Sequence, residues 1–132
     1  MTDNLLQRPS YNRGICKVGI VHLGIGNFHR AHQAYYINEY LNSYNDLNWG
    51  IVGVNLRKSE SENFQHLTDR EGKYILKTIS TAGEKIFGES HSIINLYDWS
   101  KDDKSAESIF SNPDLEIATM TVTETGYYIS GN

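Results

Sequence analysis

The residues best placed to do chemistry are Gly24-Ile25-Gly26-Asn27-Phe28-His29-Arg30. Two glycines separated by a single residue let the chain turn tightly and leave the main chain open to close approach, because neither carries a Cβ. A diphosphate is the group that needs both. A helix opening at such a turn adds unpaired N–H groups and the positive end of its dipole, and Arg30 adds a full charge. Dinucleotide-binding turns usually carry a third glycine; His29 stands in its place here. The competing reading is an ordinary glycine-containing β–α turn.

Three further groups could contribute. Folds that bind dinucleotides commonly place an acid near the end of the second strand to hold the ribose hydroxyls. Here that region reads Asn55-Leu56-Arg57-Lys58, and Glu60 is its first acid. Arg57 and Lys58 could accept the extra phosphate of NADP, and Glu60 could reach the ribose of NAD. Alternatively the cations belong to a solvated loop and Glu60 stabilises a helix N-terminus by ~0.3–1 kcal/mol. His22, His29 and His32 lie close in sequence, but no cysteine or carboxylate is spaced to complete a zinc site. Packing or support is their expected role, and no metal is expected. Finally, Thr121-Val122-Thr123-Glu124-Thr125-Gly126-Tyr127 follows an apolar run. Glu124 there could hold or relay a proton, or sit exposed in a polar loop.

These residues need elements to position them. Lys17 to Leu23 is rich in β-branched residues and nearly continuous in apolarity, the pattern of a strand buried on both faces. Helical spacing follows at Ala31, Ala34, Ile37 (or Asn38) and Leu41. Trp49 to Leu56 reads as a second strand. Ser59-x-x-Glu62 has the form of a capping box, opening a short helix with Phe64 and Leu67 inward. Tyr74 to Ser80 and Lys85 to Ile94 read as strands that can form a hairpin. Ser100 to Ser111 is expected to be helical, with Ala106, Ile109 and Phe110 inward, and Asn112-Pro113 stops it. Leu115 to Thr123 is the last strand. Alternation of strands and helices predicts an α/β fold, a mostly parallel sheet with flanking helices. Residues 1–16, with Pro9 and Gly14, read as a loose polar leader. The chain stops at Gly131-Asn132 just after a strand, which reads as a truncated sheet.

Composition narrows the classes. Over 132 residues, 39% are hydrophobic and 21% charged, and the net charge is −4. These values suit a globular domain and argue against disorder or a coiled coil. The acidic balance disfavours a general grip on nucleic acid. The longest apolar run, Val18 to Ile25, falls far short of the ~20 residues of a membrane span. The polar N-terminus lacks an apolar signal core. Cys16 is the sole cysteine; it allows no internal disulfide and reads as a small buried hydrophobe rather than a nucleophile. A cytoplasmic protein is expected.

Gly24 to Arg30, continued by Ala31-His32-Gln33-Ala34, closely resembles the nucleotide-binding turn of the long-chain mannitol dehydrogenase family, which includes D-arabinitol dehydrogenases and the fructuronate and tagaturonate reductases. Thr121 to Tyr127 resembles a second family signature, with Thr125 where glycine is usual. Trp49-Gly50-Ile51-Val52-Gly53-Val54 and Gly72-x-Tyr74 also match family landmarks. Tyr74 to Ser80, Gly83-Glu84, Ser92-Ile93 and Trp99 look closest to the D-arabinitol and mannitol branch. The similarity runs from about Lys17 to Ile129, and a histidine at the position of His29 is usual in the family. The resemblance implies a Rossmann-like domain, with residues 17–132 forming its N-terminal part and the helical C-terminal substrate domain absent. It implies a zinc-independent, NAD(P)-dependent oxidoreductase that interconverts a sugar alcohol and its ketose by hydride transfer. NAD is the expected cofactor, with NADP possible. Gly24, Gly26, Asn27, Phe28 and Arg30 would contact it, and Glu124 would relay protons to a lysine general base outside this chain. This chain alone is then expected to be inactive. A free-standing dinucleotide-binding regulatory module is the alternative.

Overall fold

Residues 6–122 are described in a computed structural model. In chain order the elements are β1 (Leu6–Gln7), a single helical turn at Arg13–Ile15, β2 (Val18–Leu23), α1 (Asn27–Ala31), α2 (Gln33–Tyr44) and β3 (Gly50–Asn55). A turn at Lys58–Glu60 then leads to α3 (Ser61–Asp69), β4 (Tyr74–Ile79), β5 (Lys85–Ser90) and β6 (Ile93–Asp98). The last elements are α4 (Asp103–Glu107), a turn at Ser108–Ser111, and β7 (Ile117–Met120).

The main sheet runs β6-β3-β2-β7, and every pairing in it is parallel. A parallel sheet needs both faces covered, and the alternation along β2 and β3 supplies two apolar sets. Ile20 and Ile51 meet Ala34 of α2, Leu67 of α3, Tyr74 and Ile93 on one face. Val21, Val52 and Val54 meet Ala106 and Ile109 on the other. Each fully buried aliphatic side chain here contributes about 1.5–3 kcal/mol. The mostly parallel α/β sheet with flanking helices expected from the sequence is the fold observed.

Several expectations are corrected in detail. The Ser59-x-x-Glu62 capping box does not form: the turn at Lys58–Glu60 takes up Ser59, and α3 is capped at Glu60 without a side-chain bond. The run Lys85 to Ile94 is not one strand. β5 pairs with β4 as the expected hairpin, but the chain breaks at His91 and Ser92. Ser92 is buried; its hydroxyl donates to the Ala34 carbonyl at 2.7 Å, and its carbonyl accepts from Ile51 N at 2.8 Å. From there the chain enters the main sheet as β6, an element not expected as such. Phe110 points outward, 54% exposed, because the helix tightens into the turn at Ser108–Ser111.

The leader is not loose from residue 6 onward. β1 adds to the hairpin beside β5. Tyr11 is buried and donates to Asn38 Oδ1 of α2 at 2.5 Å. The Arg13 guanidinium donates to the carbonyls of His91 at 3.1 Å, Ile93 at 2.6 Å, and Glu71. The leader is ordered by these few polar contacts, Tyr11 to a side chain of α2 and Arg13 to backbone carbonyls, rather than by an apolar run of its own. The turn it holds includes Gly72, at φ 79°, where a Cβ would stand 2.2 Å from the Ile93 carbonyl oxygen.

Candidate functional site

β2 is the first strand of the main sheet in sequence. The chain leaves it through α1 and α2 to reach β3 on one side, and β7 lies on its other side. Strand order therefore reverses between β2 and β7. In open parallel sheets the crevice at such a reversal, beyond the carboxyl ends of the strands, is where ligands bind.

The glycine turn forms the floor of that crevice. Gly24 has φ 84°, a left-handed conformation suited to glycine, and its N–H donates to the Val54 carbonyl of β3 at 2.9 Å. Gly26 is extended and caps α1 without a side-chain bond; the Arg30 N–H donates to its carbonyl at 3.0 Å. A Cβ built on Gly26 would meet no atom within 4 Å. The protein therefore leaves free the space that a side chain there would fill. The cleft has a volume of about 310 Å³, and its lining brings together Gly24, Gly26, Asn27, Phe28, Arg57 and Glu60. Six of the eight residues singled out from the sequence thus share one cavity.

Arg30 lies beside it. Its guanidinium donates to Asn27 Oδ1 and stands 5.8 Å from the centre of the Tyr74 ring. It lines two neighbouring grooves, one of them shared with Gly26, Asn27 and Glu60. Glu124 falls outside the described residues. Phe28 is 63% exposed and stacks on His32 at 4.2 Å, an apolar plate at the rim.

Sequence reasoning missed the residues behind the cleft. Asn55 occupies the end of the second parallel strand, where an acid is common. Its amide donates to the Arg57 carbonyl at 2.8 Å and to Asp98 Oδ1 at 3.0 Å. Both amide hydrogens are thereby used, so Asn55 ties the start of the Leu56–Glu60 loop to β6. Burial opposes the charge on Asp98, but hydrogen bonds from Ser100, Asn55 and Ser61 prevail and hold its carboxyl below the usual range. The pairing of Asn55 with Asp98 across adjacent strands has no signal in either residue alone.

His22 and His29 are buried and stack face to face, with centroids 3.8 Å apart and planes at 14°. Burial pushes His22 down to about 4. Burial, then the adjacent His22 and Arg30, push His29 down to about 3. Both rings are neutral near pH 7. Neither His29 nitrogen has a hydrogen-bond partner among the described residues. No group of three histidine, cysteine or acidic side chains among the described residues is gathered so as to hold a metal. None of the described helices is long and apolar enough to cross a membrane.

Strand order and glycine turn together define a Rossmann-type α/β domain. A sequence model described as the mannitol dehydrogenase Rossmann domain matches residues 18–130, and the chain belongs to that family. It is 36% identical over 110 residues to a D-arabinitol 4-dehydrogenase of Klebsiella pneumoniae, a match covering 83% of this chain and 24% of that protein. It is 35% identical over 131 residues to a mannitol 2-dehydrogenase of Aspergillus clavatus, covering 98% and 26% respectively. Among solved structures it superposes on Pseudomonas fluorescens mannitol 2-dehydrogenase, in a ternary complex with NAD and D-mannitol, with TM-score 0.86 and 28% identity. That match covers 93% of this chain and 25% of the other. The chain spans about a quarter of the length of the curated relatives it matches.

Proposed function

We propose that this chain is the dinucleotide-binding part of an NAD(P)-dependent polyol dehydrogenase. The reaction is the interconversion of a sugar alcohol and its ketose, D-mannitol with D-fructose or D-arabinitol with D-xylulose. The observation that carries the reading is the open space over Gly26 at the reversal of strand order. The residues present fit a dinucleotide: Gly24 and Gly26 keep side chains out of the path of a diphosphate, and Asn27 and Phe28 line it. Arg30 supplies positive charge beside it. Arg57 and Glu60 line the same cleft and would read the ribose, Glu60 suiting the free hydroxyls of NAD and Arg57 the phosphate of NADP. NAD is the cofactor we assign first, because the Pseudomonas relative is solved with NAD. When bound, its nicotinamide would accept or donate the hydride.

Glu124, in the segment beyond β7, would hold or pass a proton. A lysine general base would come from a helical domain in the part of the relatives' length that these 132 residues do not span, so residues 1–132 by themselves would bind cofactor without turnover. Calorimetric titration with NAD, then NADP, tests the reading. Saturable binding of either is expected, with NAD tighter. A folded chain that binds neither would overturn it.

A further inference from the structure

Behind the cleft, four polar side chains form a series whose hydrogens can be placed. His22 Nδ1 lies 2.7 Å from Thr119 Oγ1, and His22 Nε2 lies 2.8 Å from Thr121 Oγ1. The Thr119 hydroxyl donates to Gln33 Oε1 at 3.0 Å. A hydroxyl has one hydrogen to give. With Gln33 presenting its Oε1, Thr119 gives its hydrogen there, so towards His22 it accepts and His22 Nδ1 carries a proton. A neutral imidazole has a single N–H, which leaves Nε2 as an acceptor and Thr121 as its donor. The direction is therefore Thr121 to His22 to Thr119 to Gln33, linking the end of β7 through β2 to the first turn of α2. Burial keeps His22 neutral near pH 7, as this order requires, and His29 lies flat against its ring.

Thr121 is the end of this series that reaches the ligand cleft. It lines that cleft with Gly24 and Gly26. Its N–H donates to the Leu23 carbonyl at 3.2 Å, and its carbonyl oxygen lies 3.8 Å from where a Cβ on Gly24 would stand. We propose that His22 is a positioning residue: protonated on Nδ1, it accepts the Thr121 hydroxyl at Nε2 and so fixes the wall of the cofactor cleft formed where the chain leaves β7. The proposal rests on the cleft being a dinucleotide site. It touches no reacting atom and acts through Thr121.

The test begins without ligand. Long-range proton–nitrogen correlation on the 15N-histidine-labelled chain at neutral pH should show His22 with Nδ1 protonated and Nε2 bare, its signals assigned by loss in the variants. A resonance pattern with the proton on Nε2 would overturn the proposal. Two substitutions then separate the arms. His22→Asn keeps a donor near Nδ1 for Thr119 but leaves Thr121 without its acceptor; His22→Gln places a carbonyl near Nε2. The expected result is that His22→Gln keeps NAD affinity and the Thr121 amide resonance close to those of the parent. His22→Asn should move that resonance and weaken NAD by about tenfold, the scale of one hydrogen bond. Equal behaviour of the two variants, with both folded, would overturn it. If the parent binds neither dinucleotide, the cofactor reading fails, while the tautomer and the Thr121 resonance still decide whether His22 fixes that wall.

Discussion

Gly26 and Gly24 are two residues apart and are glycine for different reasons. Gly26 has extended backbone and open space where a Cβ would go, so Gly26→Ala should leave the fold intact. By restricting the unfolded chain it should even add ~0.4–1 kcal/mol of stability. Its cost should fall on binding: a fall in NAD affinity of at least about tenfold, equivalent to ~1.4 kcal/mol, read by calorimetry. Gly24 sits at φ 84°, so Gly24→Ala should lose about 1–2 kcal/mol of stability as well, read in a denaturant melt. His29 gives the residue-scale pH prediction. Its folded pKa, about 3, and that of His22, about 4, lie below the ordinary 6.5. Between those values the unfolded chain binds more protons, so stability rises with pH across that window. The melting temperature should therefore fall as pH drops below about 6.5. His29→Phe should flatten that fall. At neutral pH it should not destabilise, because neither buried nitrogen of the ring it replaces has a partner among the described residues, so no hydrogen bond seen there is lost. The glycines, Asn27, Phe28, Arg57 and Glu60 were legible as residue types at a strand–helix junction. The His22 series and the Asn55–Asp98 pair were not, because each depends on the register between strands far apart in sequence.

At the scale of elements, the buried parallel strands were the easiest to read: the apolar runs at β2 and β3 have no other use than a sheet covered on both faces. The hairpin was legible from its two turn-bounded runs. β6 was hidden, because the change of sheet at His91 and Ser92 carries no glycine or proline, and the one glycine nearby, Gly88, lies inside β5. The leader was misjudged for a related reason. It has little apolar content, and its order comes from Tyr11 and Arg13 reaching other elements. Arg13→Ala tests this directly. It would leave the carbonyls of Glu71, His91 and Ile93 without their shared donor, and should cost about 1–3 kcal/mol in chemical denaturation. Hydrogen exchange should speed up at the β5–β6 junction and little at β2.

At the scale of the whole molecule, β7 pairs only with β2 among the described residues, and Ile117 and Met120 on it are exposed. A strand edge of this kind offers unpaired backbone to another chain. Light scattering after size exclusion should show an apparent mass that rises with concentration. Ile117→Lys should reduce that rise, since charge on an edge strand opposes pairing. A mass of one chain at every concentration would show that the edge is already protected.

The place of β7 also sets an order of assembly. His22 and Thr119 are 97 residues apart in sequence, whereas β2 meets β3 after α1 and α2 alone. Distant pairings close slowly because the intervening chain must be ordered first. During synthesis, β2, β3 and β6 can associate before β7 has left the ribosome. The glycine turn would then already be folded while the opposite bank of its crevice did not yet exist. On the proposed reading, nucleotide capture would thus wait on β7, and a nascent chain stalled short of Ile117 would carry the glycine turn without the bank that Thr121 supplies.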